Sequence, residues 1–231
     1  MASNLSTRAV RAARIARSAP GPLATLTPRR TFVTEPDVPT AESDKPPGGF
    51  HVNSDPGVLD KFYIQMLGNG GDKMLSDEVK WLAVTHKSFD QGRRGFNDRL
   101  AFLGKRIVQL QASLALVQNP EAVPSTQPDE FGRKPFEHEA LNGLQNLSPR
   151  TKSALTDRTK LAELAQKYQM HNIIRWNPRL PENLNESGIE LVLGQTLYAI
   201  IGAIALEKGG QVANKVARER ILEPLGFKAV L

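Results

Sequence analysis

An all-α domain is what this sequence predicts, on three observations. From Val58 onward the apolar residues recur mostly at helical spacing, and no alternating run exceeds four or five positions. The intervals between apolar stretches carry the glycines, prolines and short polar residues that end or begin helices.

Leu59, Phe62, Tyr63, Met66 and Leu67 make the first stripe. Gly68-Asn69-Gly70-Gly71 closes it, because glycine takes the left-handed conformation in which helices commonly end. Ser76 is the expected N-cap of a second helix running through Val79, Leu82 and Ala83 to about Ser88, with Asp77 and Glu78 complementing its positive end. Asn97 or Asp98 is expected to cap a third, longer helix whose apolar face is Leu100, Leu103, Ile107, Leu110, Leu114 and Val117. Asn119-Pro120 ends it.

Residues 119–135 hold Pro120, Pro124, Pro128, Pro135 and Gly132 and are expected to form an exposed loop. Short helices are predicted around 136–147 and 151–170. Two more run from about Asn185 to Glu207 and from Gln211 to Leu222, where Pro224 and Gly226 stop the pattern. Gly104 and Gly202 lie inside apolar helices, where each costs about 1 kcal/mol relative to alanine unless another backbone comes close. Tight helix packing, or contact with a second subunit, is the expectation there.

The chain has 231 residues and no cysteine, which excludes disulfide scaffolds, thiolate metal centres and thiol catalysis. Its formal charge is +6. Arg8, Arg11, Arg14, Arg17, Arg29 and Arg30 account for all of it, since the 24 basic residues that remain match the 24 acidic ones, all from Glu35 onward. Any affinity of the domain for nucleic acid must therefore come from local patches. The longest apolar stretch, Leu197 to Leu206, is about half of the roughly 20 residues a membrane helix needs, so no membrane span is predicted.

Residues 1–33, acid-free, arginine-spaced and rich in Ser, Thr and Ala, have the composition of a mitochondrial transit peptide; a basic RNA-binding arm has the same composition. Arg30-Thr31-Phe32 resembles the Arg-x-Phe pattern cut by the mitochondrial processing protease, which favours the transit peptide and a mature terminus near Val33. Residues 34–57, with five prolines and three glycines, read as a flexible linker. Residues 58–231 are the expected helical domain.

Four segments share the order and spacing of a known family. Thr85-His86-Lys87-Ser88-Phe89, then Asn97-Asp98-Arg99-Leu100-Ala101-Phe102-Leu103-Gly104-Lys105, resembles the opening of a ribonuclease III domain, T-H-x-S with a following aromatic and then N-x-R-L-E-F-L-G-D. Leu161-Ala162-Glu163-Leu164-Ala165 is similar to its LAxxA helix. Tyr198-Ala199-Ile200-Ile201-Gly202-Ala203-Ile204 is similar to its later E-A-x-x-G-A helix. The resemblance covers about residues 58–223 and implies a ribonuclease III endonuclease-like helical domain.

That family cuts duplex RNA by holding a divalent metal with carboxylates, two of them at i and i+4 on the signature helix. Here the matching positions are Ala101, Lys105, Gln195 and Tyr198. None is a carboxylate, and the Lys105 ammonium repels a dication. No catalytic residue, metal site or cofactor is therefore expected. Asp98 and Glu190 lie near the lost positions in sequence, but their register predicts capping or solvent exposure. Adjacent Glu137, His138 and Glu139 point in different directions on a helix. His86 is expected to make a structural hydrogen bond, and His51 and His171 belong to no catalytic constellation. Gly68-Asn69-Gly70-Gly71 lacks the ending of a phosphate loop.

A helical frame that keeps its shape and loses its ligands implies a binding module. Together with the leader, it looks like a ribonuclease III-like protein of the mitochondrial large ribosomal subunit, binding mitochondrial rRNA and neighbouring large-subunit proteins. Arg93, Arg94, Arg133 and Lys134 are the expected phosphate contacts. By resemblance, Phe102, Leu103 and Arg106 would form a dimer interface with another ribonuclease III-like domain, identical or not. The rival reading is a mitochondrial RNA-processing nuclease or maturation factor in which a partner supplies the carboxylates.

Overall fold

The computed structural model describes residues 52–118, 130–133, 136, 138–148 and 157–227. The leader, most of the linker, Lys134, Glu137 and His51 lie outside the described residues. Six α-helices, joined by short 3-10 turns, make up the described domain: α1 Pro56–Leu67, α2 Asp77–Val84, α3 Asp98–Val117, α4 Arg158–Lys167, α5 Ile189–Lys208 and α6 Gly210–Ala217. The only β element among the described residues is an isolated parallel bridge between Thr85 and Arg175.

Helix α1 begins before the first apolar residue of its stripe. Asp55 caps it by accepting the Gly57 N–H at 2.8 Å, and Pro56 occupies the first turn, where its missing N–H costs nothing. Gly68, at φ 94°, ends it. Ser76 stands at the N-cap position of α2, but its hydroxyl donates to Glu207 Oε1 at 2.7 Å instead of capping the helix. Helix α2 stops at Val84, short of the predicted Ser88. The backbone turns extended at Thr85 to exchange bonds with the segment at Arg175, His86 N–H to Arg175 O at 2.8 Å and Arg175 N–H to Val84 O at 2.9 Å. Lys80 is buried, with its ammonium 2.8 Å from both Asp60 and Asp77. Burial pulls its pKa down, but the two carboxylates outweigh it and hold the group above its ordinary value.

Helices α3 and α5 form the centre. Helix α5 buries residues all round, including Leu193, Leu197, Ile200, Ile201 and Ile204, as a core helix does. Both are 20 residues long and apolar enough to cross a membrane by length and composition, but 72% of the α5 window is packed inside the protein, which identifies a core helix. The buried side of α3 is Leu100, Ala101, Gly104, Val108, Ala112, Ala115 and Leu116. This corrects the predicted face: Leu110 and Leu114 are exposed, and Leu103, Ile107 and Val117 are half-buried.

The reason is backbone proximity. A Cβ built on Gly104 would lie 1.8 Å from the Tyr198 carbonyl oxygen, and one on Gly202 would lie 2.1 Å from that of Leu100. The small side of α3 therefore meets α5, and Leu110 and Leu114 are left outside. In place of the helix predicted at 136–147 stand two 3-10 turns, Glu139–Leu141 and Leu144–Asn146. Gly143, at φ 87°, packs against the last turn of α3, where the Asn146 amide donates to Leu116 O at 3.0 Å. Helix α6 ends in a π-type turn, Arg218–Leu222.

Candidate functional site

The four positions that matter chemically converge. Ala101 and Lys105 on α3, and Gln195 and Tyr198 on α5, line one open cleft of about 900 Å³. The first residues of α4, Asp157 to Thr159, close another side. The i,i+4 spacing of 101 and 105 puts both on the cleft face of α3, and α5 presents Gln195 beside them.

Each donor has the wrong chemistry for a hard dication. Ala101 offers no oxygen and Lys105 brings positive charge. Burial pushes the Tyr198 phenol up to about 12, so it stays protonated at neutral pH. The Gln195 amide is turned away as a donor: its Nε2 gives hydrogen bonds to Asp98 Oδ1 at 2.5 Å and to Asn97 Oδ1 at 3.1 Å. The residues present do not fit a divalent metal.

Asp98 and Glu190 are corrections to the sequence reading. Both line the cleft, because each stands in the first turn of its helix, where side chains tilt toward the N-terminal end. Asp98 is nonetheless committed to Gln195, with Lys87 at 4.0 Å. Among the described residues no three His, Cys, Asp or Glu side chains gather as a metal site. Lys87, Lys105 and Arg158 stand against Asp98, Asp157 and Glu190 around the cleft, which is therefore formally neutral. Asp157 and Arg158 were not legible as site residues, since only the fold brings the start of α4 against α3.

Asn97 occupies the N-cap position of α3 without capping it. Its buried amide donates to Ala83 O at 2.9 Å and its oxygen receives Gln195, which ties α2, α3 and α5 together. His86 makes the structural bond expected of it. Its Nδ1 accepts the Ser88 N–H at 3.2 Å and lies 2.9 Å from Ser88 Oγ, which itself accepts the Asn177 N–H at 3.0 Å. His138 Nδ1 accepts the Ala140 N–H at 3.1 Å, and His171 sits exposed in a 3-10 turn.

The expected phosphate contacts differ in situation. Arg93 is exposed. Arg94 is half-buried, its Nε 3.4 Å from Asp90 and its guanidinium 5.8 Å from the Phe89 ring centre. Arg133 is exposed and stands over Phe131. Of the expected interface residues, Phe102 is 65% exposed with the Arg106 guanidinium 5.2 Å above its ring, and Leu103 is half-buried.

An all-α frame around two glycine-locked helices, with no carboxylate at the four signature positions of its cleft, defines a nuclease-type fold that carries neutral and basic groups where the acidic donors would stand. The chain belongs to the ribonuclease-III-like family, whose model matches residues 76–225. It is 49% identical over 175 residues to the large ribosomal subunit protein mL57 of Neurospora crassa, covering 76% of this chain and 65% of that protein. To ribonuclease 3 of Pseudomonas fluorescens it is 34% identical over 154 residues, covering 66% of this chain and 54% of that one. The chain thus spans less than two thirds of the length of these curated relatives. Two structures of the nuclease domain of ribonuclease III from Campylobacter jejuni share the fold. Their TM-scores are 0.50 and 0.52 at 22% and 23% identity, covering 74% and 71% of this chain and 97% and 96% of theirs.

Proposed function

We propose that this chain is a non-catalytic constituent of the large subunit of the mitochondrial ribosome, where it binds rRNA and neighbouring proteins. The observation that carries the proposal is the half-identical relative named as a large-subunit ribosomal protein. The cleft supports its non-catalytic part, because the donors that remain cannot hold the dication on which metal-assisted phosphodiester cleavage depends. The arginine-spaced composition of residues 1–33 supports mitochondrial import.

Pairing with another ribonuclease III-like domain belongs to the same proposal. Phe102, Arg106, Leu110 and Leu114 follow one another at i+4 along the outside of α3 and are exposed, a ridge of the kind that packs into a groove of a second helix. Arg93 and Arg133 are the exposed cations offered to phosphate, and Lys134 stands with them in the proposal.

Mitochondrial lysate spun through a high-salt gradient tests it. The chain is expected to co-sediment with large subunits in stoichiometric amount, and purified chain with Mg²⁺ is expected to leave duplex RNA intact. A chain that stays at the top of the gradient, or cuts duplex RNA unaided, overturns the proposal. The rival, a nuclease completed by a partner's carboxylates, draws on the 34% identity to a ribonuclease 3 and predicts chelator-sensitive cleavage by the purified complex.

A further inference from the structure

We propose that Phe131 and Phe136 form a stacking platform for unpaired RNA bases, an inference that rests on the RNA-binding role above and names the form of RNA. At 77% and 79% exposure they are the most exposed large apolar side chains among the described residues. Each ring is already faced by a planar group. The Arg133 guanidinium lies 5.0 Å from the centre of Phe131. The His138 ring lies 9° from parallel to Phe136, with 6.3 Å between centres. His138 is held there: its Nδ1 accepts the Ala140 N–H, so in the neutral ring the proton sits on Nε2 and the plane is set before any ligand arrives.

Planar side chains fixed in this way at a surface suit a splayed base. Every base offers a π face, and both aromatic rings and guanidinium planes stack on it. In a duplex those faces are covered by neighbouring bases, so the platform selects unpaired nucleotides. Charge points the same way. Among the described residues between 130 and 148, Glu130 and Glu139 offset Arg133, so the two rings contribute through bases, and phosphate contact is left to the cations named above.

Fluorescence anisotropy of the full chain with a labelled single-stranded RNA, and with the duplex of the same sequence, tests the inference. Phe131→Ala and Phe136→Ala are each expected to weaken single-strand binding about tenfold, with duplex affinity and the salt dependence unchanged. Phe136→Tyr is expected to bind like the native chain. Because both rings are exposed, the variants should keep the native thermal midpoint. The inference is overturned if the double alanine variant binds single strands undiminished, or if the native chain binds duplex only. It is equally overturned if the double variant keeps its RNA affinity and loses a co-purifying protein, which would make the patch a protein contact. A native chain that binds neither RNA form removes the RNA-binding role as well, so the two failures are distinguishable.

Discussion

Gly104 and Gly202 face each other where α3 crosses α5, so closely that a Cβ on Gly104 would lie 2.7 Å from the Gly202 nitrogen. No side chain larger than hydrogen fits, and the contact is backbone on backbone. Both cleft walls are positioned by it, because Ala101 and Lys105 flank Gly104 on one helix and Tyr198 precedes Gly202 by one turn on the other.

Gly104→Ala and Gly202→Ala are therefore expected to destabilise the domain by roughly 2 kcal/mol or more, since overpacking outweighs the ~1 kcal/mol that alanine gains in a helix. Gly194→Ala, in the same helix as Gly202, is the contrast. Its Cβ would meet Leu161 at an ordinary 3.8 Å, so it should stabilise by up to about 1 kcal/mol. Urea midpoints of the three variants check the pair of signs.

Restoring the donors should restore the metal. Ala101→Glu, Lys105→Asp, Gln195→Asp and Tyr198→Glu together are expected to give saturable Mn²⁺ binding in a calorimetric titration, where the native chain gives none. Lys105→Asp alone is expected to be insufficient, because Asp98 remains bound to Gln195. Saturable binding by the native chain would contradict the reading of the cleft.

Acid should weaken the fold through His86. Burial lowers its pKa, Lys87 lowers it further, and Asp98 only partly opposes them. The unfolded chain therefore takes up the proton first. The stability that neutral His86 contributes is complete above the unfolded value of about 6.5 and is lost as pH falls below it toward the lower folded value. Protonation would also place a proton on Nδ1, where the Ser88 N–H donates. His86→Gln is expected to flatten the change in urea midpoint between pH 7.5 and 5.5.

The outer ridge of α3 should matter to association and not to folding. Phe102→Asp and Leu110→Lys change side chains that are 65% and 56% exposed, so monomer stability is expected to move by no more than about 0.5 kcal/mol. Loss of co-purifying partner from the same variants, read by size-exclusion chromatography, is the expected outcome. Unchanged elution would remove α3 as the pairing surface.

Helix order and the missing carboxylates could be read from the residues alone, since both depend on identity and local spacing. Apolar periodicity, Gly68 and Asn97 marked elements to within a few positions. Carboxylates missing at 101, 105, 195 and 198 are missing in any fold. What the chain's three-dimensional packing decided was which side of α3 is inside and which groups meet across the cleft. Counting leucines favoured Leu110 and Leu114, but burial rewards how near two surfaces can come. The Ala101-Gly104-Val108-Ala112 side comes nearer to α5 than a leucine ridge can. Asp98 and Gln195 stand 97 positions apart, with no local spacing to link them; a hydrogen bond between them exists only because α3 and α5 are locked in register at their glycines.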